Sequence, residues 1–150
     1  MSEETSMELE PGEDAPATNR FPVPRRTLDA EPYWHGVRER RLLFQRCQAC
    51  RGAVFPPRSV CPLCEGGHPL EWADSRGRGE IYSFSTVMRP PAPVWRARAP
   101  YTLGIVHLDE DYYMFSEILG PPAAIAIGRR VRAVFPEREV LLPAFELDQP

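Results

Sequence analysis

At 150 residues, 43% of them apolar, the chain suits one domain or two small ones, and it holds no run near the ~20 residues of a membrane span. All 18 basic residues are arginine, which excludes Schiff-base chemistry and a lysine general base and leaves forked guanidinium groups suited to phosphate and carboxylate. The net charge of −3 is uneven: residues 1–18 hold six of the 21 acids and no base, leaving 15 acids against 18 arginines, a net of +3, in the rest.

Residues 1–27 are polar, acidic and rich in proline, a composition that cannot bury enough apolar surface to order itself. This stretch reads as a flexible tail, either solvated throughout or with its Phe21 to Arg26 end extended along a neighbouring surface. Residues 28–43 read as a helix. Asp29 offers an N-cap, Glu31 and Pro32 fill the first turn, and the helix is expected to run through about Leu42. Tyr33, Trp34 and Val37 share one face, while Gly36 weakens the helix and opens room for close contact. Two large aromatics on so short a helix must pack on the cysteine-bearing ribbon or the barrel beyond it, or meet a ligand or partner.

Residues 44–74 hold all four cysteines. Cys47 and Cys50 form one Cys-x-x-Cys pair, and Cys61 and Cys64 form a second after ten intervening residues. Two residues between thiolates let a tight turn aim both sulfurs at one ion, and two such knuckles complete a tetrahedral structural zinc site. Four protein ligands leave no position for water, so the metal is expected to hold structure and not to catalyse. Gly52 and Gly67, just beyond the two pairs, are expected to take positive φ. Two disulfides are the alternative, but the N-terminus is acidic and lacks an apolar core, which points to the cytoplasm. A redox Cys-x-x-Cys normally occurs once and beside a βαβ pattern, which is absent here. His68 reads as a surface residue. A segment so short and so rich in Arg, Pro and Gly cannot build its own core, so metal binding is expected to supply the folding energy.

Residues 75–148 switch to strand patterns. Gly79 to Met88 alternates Ile81, Ser83, Ser85 and Val87 with Tyr82, Phe84, Thr86 and Met88. Arg89 to Pro100 is rich in proline and reads as a long exposed loop. Tyr101 to Leu108 and Tyr112 to Leu119 form a hairpin around Asp109–Asp111. Pro121 to Gly128 allows one helical turn. Arg130 to Phe135 and Val140 to Phe145 give two closing strands. The fold class is therefore mainly β: an N-terminal helix, a rubredoxin-like zinc ribbon, and a five-stranded barrel of the OB type. A sandwich edge is the alternative for the barrel.

Several stretches carry a family resemblance. They are Pro32 to Cys47 with the four cysteines, Phe55 to Cys64 (F-P-P-R-S-V-C-P-L-C), Gly77 to Val87, Arg89 to Pro93, Pro100 to Asp109, and Ile127 to Phe135. Together they cover about residues 30–147 and resemble the acyl-CoA-associated zinc-ribbon/OB-fold family, formerly a domain of unknown function, whose members accompany thiolase-like enzymes and hydratases. The resemblance implies a non-catalytic subunit bound to a thiolase-superfamily or acyl-CoA hydratase partner, helping to assemble the complex and to hold the acyl-CoA thioester. Arg58, on a stiff support after two prolines, and Arg89, Arg96 and Arg98, along the proline-rich loop, suit its phosphates; Phe55, Tyr33 or Trp34 suit its adenine.

Two other functions compete. Zinc ribbons and OB barrels also bind single-stranded nucleic acid, but the acidic pI, the missing lysines and the lack of a basic stripe weigh against it. Catalysis by the chain alone is not expected. Every cysteine is committed to metal, and His35, His68 and His107 stand in no nucleophile motif. His107 reads as a barrel-rim residue.

Overall fold

The computed structural model describes residues 20–148, so the tail predicted over residues 1–27 lies outside the described residues up to position 19. A 3-10 turn at Leu28–Ala30 leads into α1 (Glu31–Arg38). Asp29 sits inside that turn and caps nothing. The helix also stops four residues short of the expected Leu42. Arg40 takes φ +59°, and the amides of Arg40 and Arg41 close back on the carbonyls of Val37 (3.0 Å) and Gly36 (2.8 Å). These are the two bonds of a Schellman stop, made here with arginine in the left-handed position. Both arginines are anchored beyond the helix. Arg40 reaches the Phe135 carbonyl and Glu137, and Arg41 grips Asp74 through two bonds of 2.9 and 2.8 Å. The Arg41 guanidinium holds the Asp74 carboxyl below its usual range.

The ribbon is a three-stranded antiparallel sheet of β1 (Leu43–Cys47), β2 (Ala53–Val54) and β3 (Leu70–Asp74), ordered β2-β1-β3. The third strand has no counterpart among the predicted elements. Its five residues, L-E-W-A-D, are too few to declare a period, and pairing with β1 from Leu43↔Asp74 to Cys47↔Leu70 is what makes them a strand.

The barrel comprises β4 (Arg78–Val87), β5 (Tyr101–Leu108), β6 (Tyr112–Leu119), β7 (Arg130–Val134) and β8 (Ala144–Leu147). It closes in the order β4-β5-β6-β8-β7, with β6 and β8 parallel and the other neighbours antiparallel. The expected five-stranded OB-type barrel is thus present. Three local expectations fail. A bulge between Ile81 and Ser83 breaks the single alternation expected for β4. Beyond it Thr86 pairs with buried Thr102 through a 2.9 Å hydroxyl bond, on the same side as Ile81. The last strand begins at Ala144 and not at Val140, because Pro143 has no amide to give and its carbonyl accepts instead from Ser116 Oγ at 2.6 Å. The loop expected over Arg89 to Pro100 contains the four-residue α2 (Pro93–Arg96), and its Trp95 ring packs 5.5 Å from Tyr101.

One hydrophobic core crosses from α1 and β1 into the barrel. Val37, Phe44, Ile81, Val106, Leu108 and Phe145 are sealed in it, and Phe44 of β1 stacks on Tyr112 of β6 at 5.1 Å. Gly36 is where the helix approaches most closely: a β-carbon there would lie 2.8 Å from Leu43 Cγ. Gly79 is tighter, since its β-carbon would lie 2.3 Å from the His107 carbonyl oxygen across the β4–β5 pair. Gly79→Ala is therefore expected to cost about 2 kcal/mol by overpacking. A urea melt checks this, and an unchanged midpoint would mean the two strands part without penalty.

Candidate metal centre and ligand cleft

The knuckles are built by short turns at the ends of the ribbon strands. Cys47 closes β1, with its amide on the Gly52 carbonyl (3.0 Å) and its carbonyl taking the Arg51 amide (3.1 Å). Arg51, and not Gly52, carries the positive φ of this turn, at +62°. Gly52 serves close approach instead, since a β-carbon there would meet Leu63 Cδ1 at 2.6 Å and Cys50 Sγ at 3.3 Å. In the second knuckle Gly67 does take positive φ, joined by Gly66, and the Leu63 amide reaches Cys61 Sγ at 3.3 Å.

All four sulfurs lie within 4.8 Å of one another, with Cys47 and Cys64 at 3.7 Å and Cys50 and Cys61 at 3.9 Å. A disulfide needs ~2.05 Å, and all four thiols are free. A tetrahedron of sulfurs about 2.3 Å from zinc has edges of roughly 3.8 Å, and the observed spacing fits it. This is a closed, structural zinc site. The donor chemistry agrees. Hydrogen bonds from the backbone at Cys50 pull the Cys47 thiol down to about 6, while burial pushes Cys64 up to about 12, so Cys64 gives up its proton on binding metal. Among the described residues only Val54 and Leu70 add apolar packing to the cysteine cluster, too little to hold the knuckles by themselves. His68 is exposed, as expected.

The segment from Phe55 to Arg58 is fixed by a residue that sequence reasoning passed over. Buried Gln45 on β1 donates from Nε2 to the Arg58 carbonyl (2.9 Å) and accepts the Arg58 amide at Oε1 (2.7 Å). A glutamine in an otherwise inward-facing L-F-Q-R-C run is the only signal that marks it.

That segment borders a cleft of about 690 Å³ between α1, the ribbon and the barrel, a volume ordinary for small-molecule sites. Tyr33, Trp34 and Phe55 meet on its wall, with Tyr33 edge-on to Trp34 (5.0 Å) and Phe55 (5.5 Å). Burial raises the Tyr33 hydroxyl well above its ordinary pKa, so it stays protonated. Arg58 and Arg89 are exposed and outside the cleft lining; neither guanidinium has a hydrogen-bonding or ion-pair partner among the described residues. The arginines that do line the cleft are Arg25, Arg98 and Arg138. Arg98 and Arg138 share the carboxylate of Glu117, and Arg98 also lies over Phe21 (5.4 Å) and Trp95 (5.2 Å). Phe21 meets Trp95 edge-on at 4.9 Å. Phe21, Trp95 and Glu117 gave no sequence signal as a group, because they lie far apart along the chain and only the fold joins them. A second hollow, beside His107, is lined by Glu80 and by two polar pairs: Arg130 grips Asp109 at 2.9 and 2.7 Å, and His107 meets Asp111 at 3.0 Å.

Residues 34–71 match the family model described as the ChsH2 rubredoxin-like zinc ribbon domain, and residues 72–136 match the ChsH2 C-terminal OB-fold domain. A DUF35 domain-containing scaffold protein of Methanocaldococcus jannaschii is 33% identical over 104 residues, which cover 68% of this chain and 73% of that one. The chain belongs to the DUF35 family. A solved DUF35 chain from the Ltp2-ChsH2(DUF35) aldolase superposes on this DUF35 chain with a TM-score of 0.72 and 30% identity, over 83% of this chain and 98% of that one. A protein of Thermomonospora curvata described as a probable enoyl-CoA hydratase alpha subunit is 32% identical over 127 residues. This DUF35 chain spans 39% of that relative's length.

Proposed function

We propose that this chain is a non-catalytic subunit of an acyl-CoA-processing complex, holding the CoA thioester while a thiolase-like or hydratase partner performs the chemistry. The observation that carries this reading is the cleft, where an aromatic wall of Tyr33, Trp34, Phe55 and Trp95 stands beside Arg25, Arg98 and Arg138. Aromatic faces suit a purine and an acyl or pantetheine chain, and guanidinium forks suit phosphate. Glu117 keeps two of those forks in place until an anion arrives. Arg58 and Arg89, exposed at the surface, are available to the phosphates of a ligand that extends past the cleft. The kinship with a scaffold protein and with chains from a hydratase and an aldolase supports the same role. Among the described residues the cleft presents no activated nucleophile: the four thiols belong to the metal, Tyr33 stays protonated, and the Ser116 hydroxyl donates to the Pro143 carbonyl. Among the described residues no helix is long and apolar enough to cross a membrane. A cytoplasmic setting would keep the thiols reduced for the metal.

The test is turnover of the reconstituted complex. Omitting this chain is expected to lower partner turnover, and the chain alone is expected to turn over no acyl-CoA. Trp95→Ala, which removes one aromatic stack worth about 1–3 kcal/mol, is expected to raise the KM for acyl-CoA about tenfold with little change in kcat. Equal partner turnover with and without the chain would end this reading.

A further inference from the structure

The outer face of β4, β5 and β6 carries a second feature, separate from the metal centre. Strand pairing sets Ser83 and Phe115 on either side of Ile105, and Ser85 on the far side of Leu103, all pointing away from the barrel core. Tyr82, at the bulge, turns outward with them. Tyr82, Tyr113 and Phe115 are 57%, 49% and 67% exposed, unusually open for three aromatics on one small sheet. The rings are already ordered. Tyr82 meets Tyr113 edge-on at 5.1 Å, and His107 stacks on Tyr113 at 4.6 Å. Pre-packed aromatics lose little freedom on contact, which is the property of interface anchors.

Charge and shape then narrow the occupant. Between Glu80 and His107 at one end and the Arg98–Glu117–Arg138 cluster at the other, the outward positions of these strands are Tyr, Ser, Leu, Ile and Phe, with no charge among them. Single-stranded nucleic acid would need cations interleaved with the rings, and the face offers none. The face also runs without a break into the cleft, because Leu103 and Phe115 belong to both. A second copy laid face to face would set the outsides of two closed barrels against each other, convex surfaces with little area in contact. A larger subunit can cover the face and the cleft together.

We infer that the outer face of β4, β5 and β6, centred on Tyr82, Tyr113 and Phe115, is the docking surface for the partner enzyme subunit, which meets it with an uncharged apolar patch and also closes the cleft. This rests on the reading under Proposed function and adds where the partner sits. Docking there buries the three rings and excludes water from the ligand side of Phe115.

The experiment uses the intact chain and the partner that co-purifies with it in fixed ratio, identified as an acyl-CoA-processing subunit and reconstituted from separately purified components. Tyr82→Ser with Phe115→Ser is expected to weaken the complex at least a hundredfold by calorimetry while zinc content and the melting midpoint stay unchanged. Val60→Ser, at a comparably exposed position in the ribbon, is expected to leave the affinity unaltered. Undiminished affinity in the double variant, with the partner complex intact, overturns the docking surface and leaves the scaffold role standing. Recovery of no acyl-CoA-processing subunit in fixed ratio overturns both. Two further outcomes overturn the assignment by giving the face to another occupant: a homodimer that the double variant splits gives it to a second copy, and salt-sensitive single-stranded DNA binding that the variant abolishes gives it to nucleic acid. Should the double variant fold poorly, Tyr82→Gln alone, with hydrogen exchange of residues 82–86 and 112–116 read with and without partner, decides between protection and none.

Discussion

Stripping the metal, or replacing Cys47 with alanine, is expected to unfold the ribbon and lower the melting point of the whole chain. Apparent metal-binding free energies for structural zinc sites are about 10–16 kcal/mol, comparable to or above the ~5–15 kcal/mol that holds a domain together. The knuckles have little reserve against that loss, since among the described residues only Val54 and Leu70 cluster with the cysteines, while Phe44, Phe55 and Trp72 pack in the main core. Damage should also spread. β1 carries Cys47 at one end and Phe44, three residues earlier, in the barrel core, so a ribbon that frays at the metal frees a wall of the main core. The measurement is zinc per chain by mass spectrometry alongside near-ultraviolet circular dichroism and a thermal melt. One zinc per chain before chelation and a melt lowered by roughly 10 °C or more afterwards is the expected pair of results. An unchanged melt and aromatic spectrum on complete zinc removal would show that packing alone holds the ribbon.

Phe44→Ala is the second large effect. The ring is 1% exposed, stacks on Tyr112, and brings β1 against the barrel. Truncating a buried phenylalanine costs about 3–5 kcal/mol, from lost burial and from the cavity left where neighbours cannot collapse. Here the neighbours are pinned. Arg40 and Arg41 tie the helix end to Phe135, Glu137 and Asp74, so α1 cannot slide in to fill the space. The variant should retain zinc, because the knuckle bonds at Cys47 and Cys61 do not involve Phe44. Urea denaturation of the zinc-loaded variant checks this: a loss under about 1 kcal/mol would mean that helix, ribbon and barrel stand independently and share no core.

The zinc site and the Phe44 core represent different kinds of information in the chain. The metal site was readable in four residues, because Cys-x-x-Cys spacing is a local geometric rule and needs no tertiary partner to be recognised. The strands of the barrel were readable for a related reason: β5 and β6 alternate buried and less buried residues without interruption. Where such a rule met a long-range competitor, the reading failed. The helix ended early because Arg40 and Arg41 find partners 33 to 97 positions away. The face of β4 switched because a bulge cannot be seen in a run of alternating residues that offers plausible pairs in either phase. Of the residues singled out for ligand contact, Tyr33, Trp34, Phe55 and Arg98 meet at one cleft, while Arg58, Arg89 and Arg96 lie apart from it.

Local pattern alone was enough to name the metal ligands, the order of helix, ribbon and barrel, and the absence of lysine chemistry, all of which depend on composition or on neighbours within a few positions. Which arginines face the cleft, and which aromatics lie bare on the barrel, was decided by the folded chain. Arg98, Arg138 and Glu117 come together through the closure of five strands, and Tyr82 faces outward beside Tyr113 because β5 lies between their strands. Contacts between segments tens of residues apart are set by the closing of the barrel and the packing of one shared core, and no local pattern encodes them.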